Sequence, residues 1–170
     1  LVGGTGDDRL GGAYTLTSRD AAITGGSGTD TAVVDLSADT AGKFSGGVGA
    51  GITYNTVGGR NISLSGMEVL EFTGNAVNGS YNNGIVGGAG ADILTGLGGN
   101  DTFTGQGGND VITGAAGNDI LSGGSGANTI DGGADYDIAD ADFSDQTGDV
   151  VAVNGGVAGV VYQFTVGGKA

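Results

Sequence analysis

From residue 87 the chain divides into consecutive nines without a gap: GGAGADILT, GLGGNDTFT, GQGGNDVIT, GAAGNDILS, GGSGANTID and GGADYDIAD. A looser copy, NGSYNNGIV, precedes them in the same frame at 78–86. The sixth place holds Asn83, Asp92, Asp101, Asp110, Asp119, Asn128 and Asp137. The eighth holds Ile85, Leu94, Phe103, Ile112, Leu121, Ile130 and Ala139. So short a period constrains the fold strongly, because each unit can bury its one apolar residue only against its neighbours.

The unit itself can be read physically. A Gly-rich hexapeptide turns sharply because Gly reaches positive φ without steric cost. The three residues after it make a short strand whose middle side chain points opposite to its neighbours. That middle residue is the apolar eighth, so it faces inward. Two units complete a coil, which stacks residues 18 apart. Asp92, Asp110 and Asn128 then line one edge, and Asn83, Asp101, Asp119 and Asp137 the other. The expected fold is all-β: a parallel β-roll, or β-solenoid, over residues 78–140.

Charge indicates what such a stack needs. The chain carries 19 acidic against 5 basic residues, a formal net charge of −14. Between Arg60 and Lys169 there is no cation, while Glu68, Glu71 and eleven Asp fall in that interval. Stacked carboxylates are a like-charge ladder, costly unless a cation sits between them. With no Cys to form disulfides and small side chains that bury little area, a bound ion is the natural staple. Carboxylate and carbonyl oxygens suit calcium, which accepts six to eight oxygens in loose geometry, better than magnesium. Several calcium ions are therefore the expected cofactor. Nucleic acid and membrane insertion are excluded as partners, by the negative charge and by the lack of a long apolar run.

The pattern G-G-x-G-x-D-x-U-x, matched closely by the four copies from 87 to 122, resembles the RTX, or haemolysin-type, calcium-binding repeat. The copies at 123 and 132 depart from it, with Asn128 for the ligand Asp and Asp135 for the fourth-place Gly. The resemblance implies calcium bound between successive turns on each side of the roll. It also implies type I secretion from a Gram-negative bacterium, with folding on calcium outside the cell. Carried onto this chain, it makes Asp92–Asp110, Asp101–Asp119 and Asp119–Asp137 full sites. The pairs Asn83–Asp101 and Asp110–Asn128, each short of one charge, become weaker sites. The turn residues Gly88, Gly90, Gly99, Gly108 and Gly117 join them as contributors to the metal sites.

Residues 1–77 hold two further pieces of this kind, GGTGDDRLG at 3–11 and GGSGTDTAV at 25–33, with Asp8 and Asp30 in the sixth place. They lie 22 residues apart and are expected to stack as an additional calcium site. From Thr31 to Val77 short β-branched runs alternate with Gly clusters. This predicts an irregular β-solenoid continuous with the roll, a separate β-sandwich being the alternative. The run SGMEVLEFTGNA resembles the strand that often leads into RTX blocks. Residues 141–170, with VVAVNGGVAGVVYQFTV, are expected to form a C-terminal β cap of closing strands.

Catalytic readings fare poorly. The acids Asp135, Asp137, Asp140, Asp142 and Asp145 read as the last calcium turn and a solvated cap in preference to paired glycosidase carboxylates. Without His or Cys, the usual triads and zinc sites are unavailable. No Gly-rich turn runs into Gly-Lys-Ser/Thr, and the sequons at Asn61 and Asn78 carry no weight in a bacterial chain. Ile93 and Val111, and Ile120 and Ile138, form outward stripes that read first as β-formers on a solvated sheet, with docking of neighbouring subunits or domains the alternative. The chain opens at Leu1 without a signal peptide and is expected to be an excerpt of a longer protein. The expectation is a non-enzymatic, calcium-binding structural module of a secreted or cell-surface protein, of S-layer, adhesin or filament type, with self-association a further expectation. The alternative is the folding and export module of a secreted protease, lipase or epimerase whose catalytic domain lies outside the chain.

Overall fold

The structure is a computed structural model, and it describes residues 1–13, 21–37, 45–47, 52–55, 61–65, 67–74, 83–142 and 161–165. The strands are Val2–Thr5 (β1), Arg9–Ala13 (β2), Ala21–Ser27 (β3), Thr31–Asp35 (β4), Ser45–Gly47 (β5), Ile52–Asn55 (β6), Asn61–Ser65 (β7), Val69–Thr73 (β8), Gly84–Val86 (β9), Ile93–Thr95 (β10), Thr102–Thr104 (β11), Val111–Ala116 (β12), Ile120–Ser122 (β13), Thr129–Ala134 (β14), Ile138–Asp142 (β15) and Val161–Thr165 (β16). Among the described residues there is no helix. None, therefore, is long and apolar enough to cross a membrane, which says nothing of a β-barrel.

The strands form a parallel β-solenoid. One sheet runs its whole length in the order β14-β12-β10-β8-β4-β2. The opposing wall is a second sheet, β16-β15-β13-β11-β9-β5, and a third, β1-β3-β7-β6, in which only β6 is antiparallel. In the roll the register is that of the nine-residue frame. Ile93 pairs with Val111 and Val111 with Thr129 on one wall. Thr102 pairs with Ile120 and Ile120 with Ile138 on the other.

Each short strand shows one buried residue between two more open ones, as period-2 alternation requires. The eighth-place column from Ile85 to Ala139 is entirely buried and forms the core, joined by Ala32, Val34, Leu70 and Phe72 from the N-terminal coils. Phe72 and Phe103 meet edge to face with centroids 6.0 Å apart, the favoured geometry for rings with opposed face and edge charge.

The N-terminal coils are longer and wider. The sequence separation between stacked residues is 22 from Asp8 to Asp30, 38 from Asp30 to Glu68 and 22 from Leu70 to Asp92, before it settles at 18. β4 and β8 each bury two side chains, Ala32 and Val34, then Leu70 and Phe72. In the next coil the place above Leu70 belongs to Asp92, so the roll narrows by one inward residue at that step. The strand predicted to lead into the repeats is β8, and it pairs in parallel with β10. At the other end, β16 extends the wall in parallel beyond β15. The remainder of the predicted closing pair lies outside the described residues, as do Asn78 and Asp145.

Candidate metal centre

The sixth-place residues converge into two ladders, one along each edge. On the first, the Leu70 N–H donates to Asp92 Oδ1 (2.5 Å), the Asp92 N–H to Asp110 Oδ1 (2.9 Å) and the Asp110 N–H to Asn128 Oδ1 (2.9 Å). On the second, the Asn83 N–H donates to Asp101 Oδ1 (2.6 Å), the Asp101 N–H to Asp119 Oδ1 (2.7 Å) and the Asp119 N–H to Asp137 Oδ1 (3.0 Å). Each carboxylate thus reaches back one coil with one oxygen. Asn83, Asp92, Asp101, Asp110, Asp119 and Asp137 are at most 2% exposed, while Asn128 is half-buried.

The second oxygen carries the chemistry. Oδ2 of Asp101, Asp110, Asp119 and Asp137 is buried and accepts no hydrogen bond, whereas that of Asp92 accepts the Gly88 N–H at 2.6 Å. Buried acceptors without donors are rare, because their desolvation is uncompensated. Each of these oxygens also lies in a defined cradle. A Cβ on Gly87 would meet Asp92 Oδ2 and the carbonyl oxygen of Gly105, one coil on. Gly96, Gly105 and Gly114 repeat the arrangement with Asp101 and Gly114 O, Asp110 and Gly123 O, and Asp119 and Gly132 O. At Asp101, Asp110 and Asp119 a carboxylate oxygen and a carbonyl oxygen face one point and the carboxylate oxygen has no donor, an arrangement suited to a cation. All the oxygens are hard donors, so the site fits calcium. Among the described residues no point gathers three or more acidic side chains, so one or two carboxylates and the turn carbonyls would complete each centre.

Electrostatics agree. Burial, opposed by the ladder N–H groups, pushes the carboxyls of Asp92 and Asp101 up to about 7, with a further rise from Asp110 and Asp119 respectively. Asp119 rises to about 6, again through burial first and then through Asp137 and Asp135. Asp110 and Asp137 rise in the same direction, also mainly through burial. Without a cation the ladders sit in an environment that disfavours their charge.

The glycines named from sequence have different places. Gly99, Gly108 and Gly117 take positive φ in the fourth place. Gly117 packs on Gly99 O and Gly108 on Gly90 O, too closely for any Cβ. Gly88 meets its ladder through the amide described above. The carbonyls that face Oδ2 belong to the first-place glycines, and sequence reasoning passed over these although Gly opens every unit from 87. At Asn83 the glycine that meets the ladder is Gly74, since a Cβ on it would meet Asn83 Nδ2 and Gly96 O; the frame's own first-place residue, Asn78, lies outside the described residues. Also missed was a fifth-place ladder of opposite sense, in which Oδ1 of Asn100, Asn109 and Asn118 accepts the N–H of Asn118, Ala127 and Tyr136 in the next coil. The repeated Asn-Asp pair was its signal. Asp135, standing for a fourth-place Gly, adopts the same left-handed backbone at φ 77°.

Two ladders of buried carboxylates along a parallel roll define a calcium-binding β-roll. Residues 77–112 and 104–139 both match the family model of the RTX calcium-binding nonapeptide repeat, which spans four copies. No curated protein matches the chain. Residues 77–139 are therefore RTX repeats, and such repeats bind calcium ions.

Proposed function

We propose that this chain is a structural module that calcium folds and locks, within a secreted or cell-surface bacterial protein of S-layer, adhesin or filament type. The observation that carries the reading is the row of buried, donor-less Oδ2 atoms. They make the coil self-repelling until cations arrive, which suits a chain that stays unfolded in the cell and orders outside it. In this reading Asp92–Asp110, Asp101–Asp119 and Asp119–Asp137 hold the strongest ions. Asn83–Asp101 and Asp110–Asn128 hold weaker ones, because an amide in place of a carboxylate removes a charge. Bound calcium supplies the positive charge that draws adjacent coils together. The protein's own groups do the rest: Oδ1 fixes the register through the ladder bonds, and the first-place glycines keep the cradle open.

A non-enzymatic role is supported by the use of the acids. Every buried Asp among the described residues belongs to a ladder, which leaves none aimed at a substrate. Export by a type I secretion system accords with the repeats, which typify secreted proteins of Gram-negative bacteria. Self-association is supported by the outward stripes. Ile93, Val111 and Ile120 are 47%, 44% and 49% exposed, and Ile93 adjoins Val111 as Ile120 adjoins Ile138. Sedimentation velocity with calcium tests the assembly role, and calcium-dependent oligomers that Ile120→Thr with Ile138→Thr abolishes are expected. A chain that is monomeric at all concentrations with calcium bound would contradict it.

A further inference from the structure

In every described ladder coil but one, a bulky residue follows the sixth place. In the roll that residue is β-branched, as Ile93, Thr102, Val111, Ile120, Thr129 and Ile138 show. The wider coils conform, with Thr31 after Asp30, whose Oδ1 accepts the Asp8 N–H at 3.0 Å. The exception is Asn83, which is followed by Gly84.

The exception matters chemically. An asparagine closes on itself when the backbone nitrogen of the next residue attacks its Cγ. A β-branched neighbour hinders that approach, whereas glycine leaves it open and adds backbone freedom. The new N–Cγ bond replaces the Cγ–Nδ2 bond, and ammonia leaves with the proton of the backbone amide. Water then opens the cyclic imide at either carbonyl, giving aspartate or isoaspartate. The sequence is redox-neutral, takes up only water and is promoted by base.

The fold holds Asn83 out of this reaction. The residue is 2% exposed. Its N–H donates to Asp101 Oδ1 at 2.6 Å and its Nδ2 to the same oxygen at 3.0 Å, which fixes the side chain. Its carbonyl accepts the Thr102 N–H at 2.8 Å. Gly84 itself stands in β9 between Thr102 of β11 and Ser45 of β5. Bringing the Gly84 nitrogen onto Cγ would break the ladder bonds and the strand pairing together.

We infer that Asn83–Gly84 is a deamidation site, open in the unfolded chain and closed in the folded one, which records how long a chain has stayed unfolded. It rests on the reading that calcium folds the coil, since calcium then decides which state the pair occupies. Both products damage the ladder. Aspartate loses the Nδ2 donor and sets a second carboxylate against Asp101 Oδ1. Isoaspartate adds a methylene to the main chain between the sixth and seventh places, so Ile85 no longer arrives opposite Phe103.

Peptide mapping by mass spectrometry tests this on the full chain aged at mildly alkaline pH in urea, in chelator and in saturating calcium. The readout is the amide-to-acid mass gain at each asparagine. In urea Asn83 should convert together with Asn78 and Asn154, which also precede Gly, while Asn128, which precedes Thr, stays intact. Gly84→Ala should slow the conversion at Asn83 in urea, where folding plays no part. In chelator Asn83 should convert. In calcium it should convert at least about tenfold more slowly, the change in folded population that calcium at roughly ten times its dissociation constant supplies. No conversion of Asn83 in urea, or conversion that Gly84→Ala leaves unchanged, would overturn the site. Conversion as fast in calcium as in chelator, where circular dichroism shows that calcium folds the chain, would overturn the protection and leave the calcium reading standing. Conversion in urea but not in chelator, with a dichroism signal that calcium does not alter, would end the calcium reading and the timer with it.

Discussion

Asp110 accepts the backbone N–H of Asp92 through Oδ1 at 2.9 Å, one full coil away, while its Oδ2 is buried with no donor. One side chain thus divides its labour. The first oxygen welds adjacent coils and is indifferent to charge, as Asn128 demonstrates in the same ladder. The second oxygen requires a cation.

This division predicts unequal effects at Asp119, which stands between Asp101 and Asp137. Asp119→Asn should keep the fold at saturating calcium and raise the calcium midpoint by weakening two neighbouring sites. Asp119→Ala also strips the buried Asp101 N–H of its acceptor, at an additional cost of about 1–3 kcal/mol. Asp92→Asn should raise the midpoint less, because Asp92 has an acidic neighbour on one side only, with Leu70 on the other. Calcium titrations followed by thermal melts of the three variants check the order.

The first-place glycines should be intolerant where a third-place glycine such as Gly107 is not. A Cβ at Gly105 collides with Asp110 Oδ2 and Gly123 O, whereas one at Gly107 meets its nearest neighbour, Ser125 Oγ, at an ordinary 3.4 Å. Gly105→Ala should therefore abolish calcium binding at Asp110, and Gly107→Ala should bind and melt like the parent. Isothermal titration of both variants distinguishes the cases.

Backbone strain gives a stabilising prediction. Leu97 and Ala115 occupy second-place positions at φ 72° and 87°, where a Cβ costs about 1–2 kcal/mol. Set against the extra entropy of Gly in the unfolded chain, Ala115→Gly should gain roughly 0.5–1 kcal/mol. Gln106, at φ 78°, donates its side-chain amide to Gly87 O at 2.8 Å, so Gln106→Gly should gain nothing. Melting temperatures in saturating calcium test the contrast.

The pH dependence should change sign with calcium. Asp92, Asp101 and Asp119 hold their protons more tightly folded than unfolded, with folded values of about 7, 7 and 6. In chelator their contribution is fully present below the unfolded value near ~4, and it is lost as pH rises through roughly 6 to 7. The chelated chain should thus show its greatest stability in mild acid. With calcium present the ion competes with those protons, so the calcium midpoint should rise as pH falls below about 7. Melts in chelator that improve from about pH 5 to about pH 8 would contradict the burial of these carboxylates.

The roll was legible because two columns, polar at six and apolar at eight, each have one structural meaning: ladder and core. Their alternation between two walls followed from strand geometry alone. The widened N-terminal coils were not legible in the same way. Nothing in a 38-residue coil without a period specifies that Glu68 arrives beside Asp30 or that Leu70 underlies Asp92; tertiary register decides both. The ladders' hydrogen bonds were hidden for a related reason, since an Asp in a turn looks the same whether it bonds its own turn or the next coil.

Far-ultraviolet circular dichroism of the chain in chelator, and then with calcium raised through about 10⁻⁴ to 10⁻³ M, the range of extracellular calcium modules, tests the central claim most directly. At neutral pH the β signal should be weak in chelator, rise cooperatively with calcium, and fall again when chelator is restored. A full β signal in chelator that calcium leaves unchanged would contradict it.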